Sequence, residues 1–351
     1  MRATLCLLVC LLLNASARAQ QCPFPRDYWP TDGWRRASPA AENVDSAMLD
    51  SALTKFGTLP ANVYAAMVVR HGYVIGERYY HGKDSTSRYE LRSATKTIVS
   101  ILTGIALDRK LLRSVDQKVV PLIPEFASRS DSVDPRKARI TIRNLLTMQS
   151  GLTWVEGHGP EYLNYQPNWP VAILSLPMTA DPGTTFNYSS GNAHLLSTIV
   201  SRAAHETTVA FANENLFQPI GFTLPLLEWS TDPQGVNAGG AGLNLTADEM
   251  ARIGYLFLNN GCWDGKQVVS KKWVENSHKN WSNPGGKGSG GYGYLWWLSV
   301  SVPGAYAAEG HGGQYIFVDP VHDSIIIITA EPNSGGNDFE PARTLINPAM
   351  H

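Results

Sequence analysis

Leu91-Arg92-Ser93-Ala94-Thr95-Lys96 opens an apolar-periodic segment that runs through residues 97–110. The reading of this stretch decides how the remaining chain is understood. If the segment is a helix, Ser93 stands at its first turn and Lys96 lies one turn further on the same face, because residues three apart on a helix are neighbours. An amine is then held beside a hydroxyl. Serine becomes a nucleophile only when something removes its proton, and lysine removes it only where burial or a nearby cation keeps the amine neutral. A helix start adds free N–H groups and a dipole that favour developing negative charge. The spacing alone fits an exposed helix start equally well, so the rest of the chain has to decide.

Outward from this stretch toward the N-terminus, residues 1–19 have the pattern of a secretory signal. Arg2 supplies a positive start, residues 5–13 a short apolar run, and Ala17-Arg18-Ala19 a small-x-small cleavage site. Removal of this segment would take Arg2 and Arg18 with it, leaving 29 − 2 = 27 basic against 30 acidic residues and moving the formal charge from −1 to −3. A mildly acidic chain of this kind does not call for nucleic acid or an anionic membrane as partner. No later apolar run is long enough for a transmembrane helix. Export, to a periplasm or the medium, is therefore expected. Of four cysteines, Cys6 and Cys10 belong to the signal segment, which leaves Cys22 and Cys262 as a possible disulfide in an oxidising compartment. Ala19-Gln20-Gln21 lacks the small residue expected before a lipidated cysteine, so no membrane anchor is expected.

Residues 20–42, rich in Pro, Trp and Arg, read as an extended leader, and residues 45–56 as an amphipathic helix. Residues 63–69 and 73–80 form a β-hairpin pattern around His71-Gly72, and strand patterns return at 292–300, 314–318 and 324–330. Ile325-Ile326-Ile327-Ile328 makes the last of these a fully buried run. Five strands from the two ends of the chain, joined by short turns, predict one antiparallel sheet in an α+β fold. Between them lie helical patterns at 141–148, 193–204, 209–216 and 246–259, the last opened by a Thr246/Glu249 capping box and closed by Asn260-Gly261. A helical lobe inserted into a sheet lobe makes a cleft at the junction, where Ser93 lies. Gly288-Ser289-Gly290-Gly291-Tyr292-Gly293 matches a dinucleotide fingerprint in letters only. It runs into an aromatic strand pattern, where such a fingerprint needs a helix.

The chain has no G-x-S-x-G elbow, no H-E-x-x-H and no C-x-x-C, so its motifs point to neither an α/β-hydrolase triad nor a metal centre. Ser-Lys chemistry needs a further proton carrier and an oxyanion hole. Tyr188, in Phe186-Asn187-Tyr188-Ser189-Ser190-Gly191-Asn192 ahead of a helix, is a candidate carrier if a cation such as Lys96 stabilises its phenolate. Packing of its ring with the hydroxyl bonded to backbone is the plain alternative. Glu309-Gly310-His311-Gly312-Gly313-Gln314 leads into a strand whose N–H could face an oxyanion, or is simply a glycine-rich turn.

Taken together and in this order, the three pieces resemble the superfamily of serine β-lactamases, penicillin-binding proteins and related esterases, over roughly residues 63–330. The segment TIRNLLTMQSGLTW at 141–154 is similar to the family's leucine-rich stretch, and residues 231–261 resemble the branch that includes 6-aminohexanoate-dimer hydrolases. The resemblance implies a β-lactamase/transpeptidase-like fold: an antiparallel five-stranded sheet flanked by helices, with an inserted all-helical lobe. It implies a hydrolase domain over 43–351, with a sheet lobe of 43–92 plus 285–351 and a helical lobe of 93–284. Ser93 would be the acylated nucleophile, Lys96 would help deprotonate it, and Tyr188 would shuttle protons. The backbone N–H groups of Ser93 and Gln314 would form the oxyanion hole, while Ser190, His311, Gly312 and Gly313 would contact the substrate. Neither metal nor organic cofactor is implied.

Two departures bear on the substrate. His311 stands in place of a strand lysine that would meet a penicillin carboxylate, and Ser190 replaces an asparagine amide by one hydroxyl. Both favour a small neutral ester or linear amide over a lactam. The alternatives carried forward are β-lactamase or D-Ala-D-Ala peptidase activity, and a non-catalytic sensor that binds peptidoglycan or a lactam. Asn187-Tyr188-Ser189 is also a glycosylation sequon, as are those at Asn244 and Asn280. A glycan at Asn187 would crowd Tyr188, which fits a bacterial setting better.

Overall fold

The computed structural model describes residues 26–59, 62–128, 134–222, 228–285, 290–299, 301–331 and 346–350. The expected signal segment, Cys22 and the first two residues of the glycine-rich 288–293 stretch lie outside the described residues.

The sheet is antiparallel throughout and has six strands, one more than the sequence pattern predicts. In chain order they are β1 (Val63–Arg70), β2 (Tyr73–Tyr79), β3 (Trp297–Leu298), β4 (Tyr306–Gly310), β5 (Gln314–Asp319) and β6 (Ser324–Ala330). In space the order is β2-β1-β6-β5-β4-β3, so β1 from one end of the chain pairs with β6 from the other at the centre. The added strand is β4. Its sequence, Tyr-Ala-Ala-Glu-Gly, has little intrinsic strand preference, and it is held as a strand by pairing with β5 from Tyr306 opposite Val318 to Gly310 opposite Gln314. The predicted strand at 292–300 shrinks to Trp297–Leu298, because Leu295 adopts φ +60°, a left-handed conformation that interrupts extended backbone.

Both faces of the sheet are covered, which explains why β6 reads as an unbroken apolar run. Met67, Val69, Ile316, Val318, Ile325 and Ile327 face the larger core. Ala66, Val68, Phe317, Ile326 and Ile328 face a smaller core shared with α1 (Ser46–Phe56), which Asp45 caps through the N–H groups of Ala47 and Met48. The larger core carries α2 (Thr95–Asp108), α3 (Ser190–Ala204) and α4 (Ala247–Leu258). The Thr246/Glu249 capping box starts α4, with both of its reciprocal hydrogen bonds present. Helix α2 is buried from Thr95 through Ala106 on every side, so it is the central helix and not a surface one. Two of its buried hydroxyls have carbonyl partners: Thr97 donates to Leu295 at 2.7 Å and Thr103 to Val99, one turn back, at 2.8 Å.

A two-residue ladder joins Tyr89–Glu90 to Asn244–Leu245, and the Leu91 N–H continues it to the Leu243 carbonyl at 2.8 Å. This ladder brings the chain entering α2 beside the loop that precedes α4. Cys262 is buried and disulfide-bonded, while Cys22, its expected partner, lies outside the described residues. Among the described residues no helix is long and apolar enough to cross a membrane.

Candidate active site

Ser93 sits in a single 3-10 turn, Arg92–Ala94, that feeds into α2. The turn is entered through Arg92 at φ +49°, a left-handed conformation that a bulky residue adopts only when its surroundings impose it. The surroundings are visible at Gly310, the last residue of β4. A Cβ there would stand 2.1 Å from the Leu91 carbonyl oxygen and 3.2 Å from the Arg92 Cβ, so strand and turn meet backbone to backbone.

The Lys96 Nζ lies 2.8 Å from the Ser93 Oγ and 3.0 Å from the Gly240 carbonyl oxygen, in a position only 1% exposed. Burial penalises the ammonium and lowers the amine from 10.5 to about 8, and the nearby Glu156 carboxylate opposes that shift. A large fraction of Lys96 is thus neutral within reach of mild alkaline pH. Its Nζ also stands 4.8 Å over the centroid of the Tyr188 ring.

Tyr188 comes from the loop before α3, whose start is fixed by the Ser189 hydroxyl accepting from the Asn192 N–H. Its ring stacks on Trp297 at 5.6 Å and meets Tyr292 edge-on, and its hydroxyl interacts with that of Ser93. Burial raises the Tyr188 phenol well above 10. The Ser93 contact lowers it somewhat, while Glu156 and Glu309 raise it further. A standing phenolate at Tyr188, the condition set by sequence reasoning, is therefore disfavoured, and the depressed amine of Lys96 is the better proton acceptor. Trp296 is wholly buried and Trp297 only partly, so the two neighbours divide between core and cleft as strand alternation requires.

The remaining sequence candidates are less tightly gathered. Gln314 opens β5 at the hairpin after Gly310, where it pairs with Gly310, and its side-chain amide donates to the Ala330 carbonyl at 2.6 Å. Gly312 and Gly313 adopt φ +82° and +104°, conformations suited to glycine at the tip of this hairpin. His311 is exposed beside them, and among the described residues its side chain makes no hydrogen bond or ion pair, to Tyr188 or otherwise. Ser190 does reach the site, yet its hydroxyl donates to the Glu156 carboxylate, not to an open cleft. Asn187, the sequon residue, is turned inward: its Nδ2 donates to the carbonyls of Leu152 and Trp154 at 3.2 Å each.

Sequence reasoning missed Glu156. Its carboxylate accepts from the Ser190 N–H at 3.0 Å, from the Ser190 hydroxyl and from the Trp154 Nε1 at 2.6 Å, and one oxygen lies 3.9 Å from the Lys96 Nζ. No motif announces it, since it reaches the site from a loop by tertiary contact alone. It also missed Gly240, whose carbonyl receives Lys96 and whose Cα faces Ser190 so closely that a Cβ would lie 2.7 Å from the Ser190 Cβ.

Past Ser190 and Gly240 opens a cavity of about 160 Å³ lined by Leu163, Trp169, His194, Ala238 and Gly239 among others. His194 is its one ionisable lining group. The buried His194 pairs through Nε2 with Asp232 at 3.0 Å, its Nδ1 lies 3.4 Å from the Gly239 N, and its ring packs edge-on against Trp169. Among the described residues no three His, Cys, Asp or Glu side chains are gathered as a metal ion would need.

Comparison with known proteins identifies the family and the fold. The Beta-lactamase family model matches residues 56–350. The 6-aminohexanoate-dimer hydrolase of Paenarthrobacter ureafaciens is 24% identical over 326 residues, covering 85% of this chain and 81% of that protein. Among solved structures, EstCE1, a hydrolase with promiscuous acyltransferase activity, superposes with a TM-score of 0.68 at 16% identity over 89% of this chain and all of its own (100%). A family VIII carboxylesterase gives 0.65 at 16% identity, over 90% of this chain and 98% of its own.

Proposed function

The chain belongs to the Beta-lactamase family and is a serine hydrolase, and from that premise we propose that it cleaves small carboxylic esters or linear amides through an acyl-enzyme on Ser93. The observation that carries this reading is the buried Lys96 amine, 2.8 Å from the Ser93 hydroxyl and lowered to about 8. An amine of that kind can take the serine proton near neutral pH and hold it only briefly.

In the proposed sequence the Ser93 Oγ attacks the substrate carbonyl carbon as its proton passes to Lys96. The oxyanion is received by the backbone N–H groups of Ser93 and Gln314. The neutral Tyr188 hydroxyl donates its proton to the departing alkoxide or amine and is reprotonated from Lys96. A water then attacks the acyl carbon, gives its proton through the same pair, and the carboxylic acid leaves as Ser93 recovers its hydrogen. Raised as it is, the phenol suits the role of relay better than that of resting base.

Three features favour a neutral substrate over a lactam. The hairpin offers His311 where a permanent cation would meet a carboxylate, Glu156 and Glu309 add negative charge around Tyr188, and the adjoining cavity has no lysine, arginine or carboxylate in its lining. The names of the relatives point the same way, toward a linear amide in one case and carboxylic esters in another. We further propose that the protein is exported, on the strength of the signal-like residues 1–19 and the disulfide state of Cys262, a bond suited to an oxidising compartment.

The test is direct. Incubation with a fluorophosphonate probe followed by peptide mapping should place the adduct on Ser93, and p-nitrophenyl butyrate should be turned over. An adduct on any other serine would overturn the mechanism.

A further inference from the structure

Building on Ser93 as the acylated residue, we propose that Glu156 is a positioning residue of this site, whose carboxylate anchors the Ser190 hydroxyl and stands as the fixed anionic partner of the Lys96 amine. The geometry begins with the loop itself. Trp154 is wedged between two glycines: a Cβ at Gly159 would lie 2.4 Å from its indole ring and one at Gly191 would lie 2.7 Å away. Any larger residue at either position would expel the ring. The Leu152 and Trp154 carbonyls are held from the other side by the Asn187 amide. Glu156 therefore hangs from a stretch of backbone pinned to the loop that carries Tyr188.

Its carboxylate accepts three hydrogen bonds, two from Ser190 and one from the Trp154 indole, which fixes its position beside Lys96 although about a third of the side chain meets solvent. The groups facing Lys96 are few. Ser93 comes from the turn that leads into α2, the Gly240 carbonyl from the loop before α4, the Tyr188 ring from the loop before α3, and Glu156 from the pinned loop. Glu309 on β4 and the buried Tyr292 act one layer out, on Tyr188. Glu156 is thus the acidic group paired with the amine.

This placement does two things. The single proton of the Ser190 hydroxyl is committed to Glu156, so Ser190 offers a substrate only lone pairs, where an asparagine would also offer N–H donors. Burial lowers the Lys96 amine, and the carboxylate opposes that shift. The amine then both accepts the Ser93 proton and holds it long enough to pass it on.

The experiment is the pH dependence of kcat/KM for p-nitrophenyl butyrate in wild type, Glu156→Gln and Glu156→Asp, with Ser93 labelling and the thermal midpoint measured alongside. Removing the charge should move the acidic limb of Glu156→Gln down by about half a unit to one unit, and the aspartate should restore most of that shift. A Glu156→Gln limb within about 0.2 unit of wild type in a folded, labelled protein would overturn the proposal. Should Glu156→Gln fail to fold, Ser190→Ala, which removes one of the three hydrogen bonds holding the carboxylate, is expected to move the limb the same way by less, and an unmoved limb there would overturn it too. A wild type that neither labels at Ser93 nor turns over ester would instead bring down the reading of Ser93, and this one with it.

Discussion

Gly310 rests against Leu91 so closely that a single methyl group on its Cα would stand 2.1 Å from the Leu91 carbonyl oxygen. The end of β4 and the turn that carries Ser93 are therefore one unit, and the spacing between strand edge and nucleophile is set by the absence of a side chain. Gly310→Ala must push the two apart. The expected result is a loss of about 1–3 kcal/mol in urea unfolding and a fall of about a hundredfold in kcat/KM, since small displacements of a reacting group are that costly. Equal activity in the variant would show that the hairpin does not set the site.

Activity should follow the neutral fraction of Lys96. With its amine lowered to about 8, kcat/KM for a neutral ester should rise roughly tenfold per pH unit below that value and level off above it. A profile flat from pH 6 to 9 would remove Lys96 from the role of base.

The same burial makes a statement about stability. An amine at 10.5 in the unfolded chain and about 8 in the folded one means that the unfolded state binds more protons between those values, so the stability tied to Lys96 rises with pH across that window and its cost is complete below about 8. Lys96→Met, which replaces the buried cation by a group of similar length, should abolish turnover. At pH 7 it should leave the protein as stable as wild type or more stable by about 1–3 kcal/mol. A destabilised Lys96→Met would mean that the contacts with Ser93 and Gly240 outweigh the desolvation.

Removal of the Tyr188 hydroxyl separates relay from packing. Tyr188→Phe keeps the stack on Trp297 and the contact with Tyr292, so its thermal midpoint should change little. Its kcat should drop by at least about a hundredfold if the hydroxyl carries the proton to the leaving group. The drop should be smaller for a p-nitrophenyl ester, whose leaving group needs no proton, than for an alkyl ester.

Substrate size should report on the cavity beyond Ser190. Its 160 Å³ is close to the ~150 Å³ that accommodates a benzene ring in an engineered cavity, so short acyl chains should be favoured. Ala238→Leu is expected to fill it and to lower kcat/KM for the hexanoyl ester by about tenfold while sparing the acetyl ester. A uniform loss across the series would place the acyl group elsewhere.

How much of this the sequence could show depends on whether the signal is local. Ser93 and Lys96 are three residues apart on one helix, and Tyr188 and the 310–314 hairpin carry recognisable neighbours, so all were readable. A capping box is equally local, and Thr246 and Glu249 stand where the pattern puts them. Glu156 was invisible because its place follows from Trp154 lodging against Gly159 and Gly191, a contact that no spacing encodes. Strand β4 escaped for a related reason: Ala307 and Ala308 are extended because β5 pairs with them, not because alanine prefers it. The commitment of the Ser190 hydroxyl to Glu156 and the inward turn of Asn187 likewise depend on partners more than thirty residues away.

The pairing of β1 with β6 joins Val63–Arg70 to Ser324–Ala330 at the middle of the sheet. Loop closure on that scale comes late and slowly in folding, because the entropy of bringing distant segments together is spent before their contacts form. A chain still being synthesised holds the serine, the lysine and the tyrosine long before it holds the strand that completes the sheet. Biosynthesis therefore imposes its own timing: hydrolytic competence arrives only once Ser324–Ala330 has been made, and truncation near residue 320 should yield a protein with every reactive side chain and no enzyme.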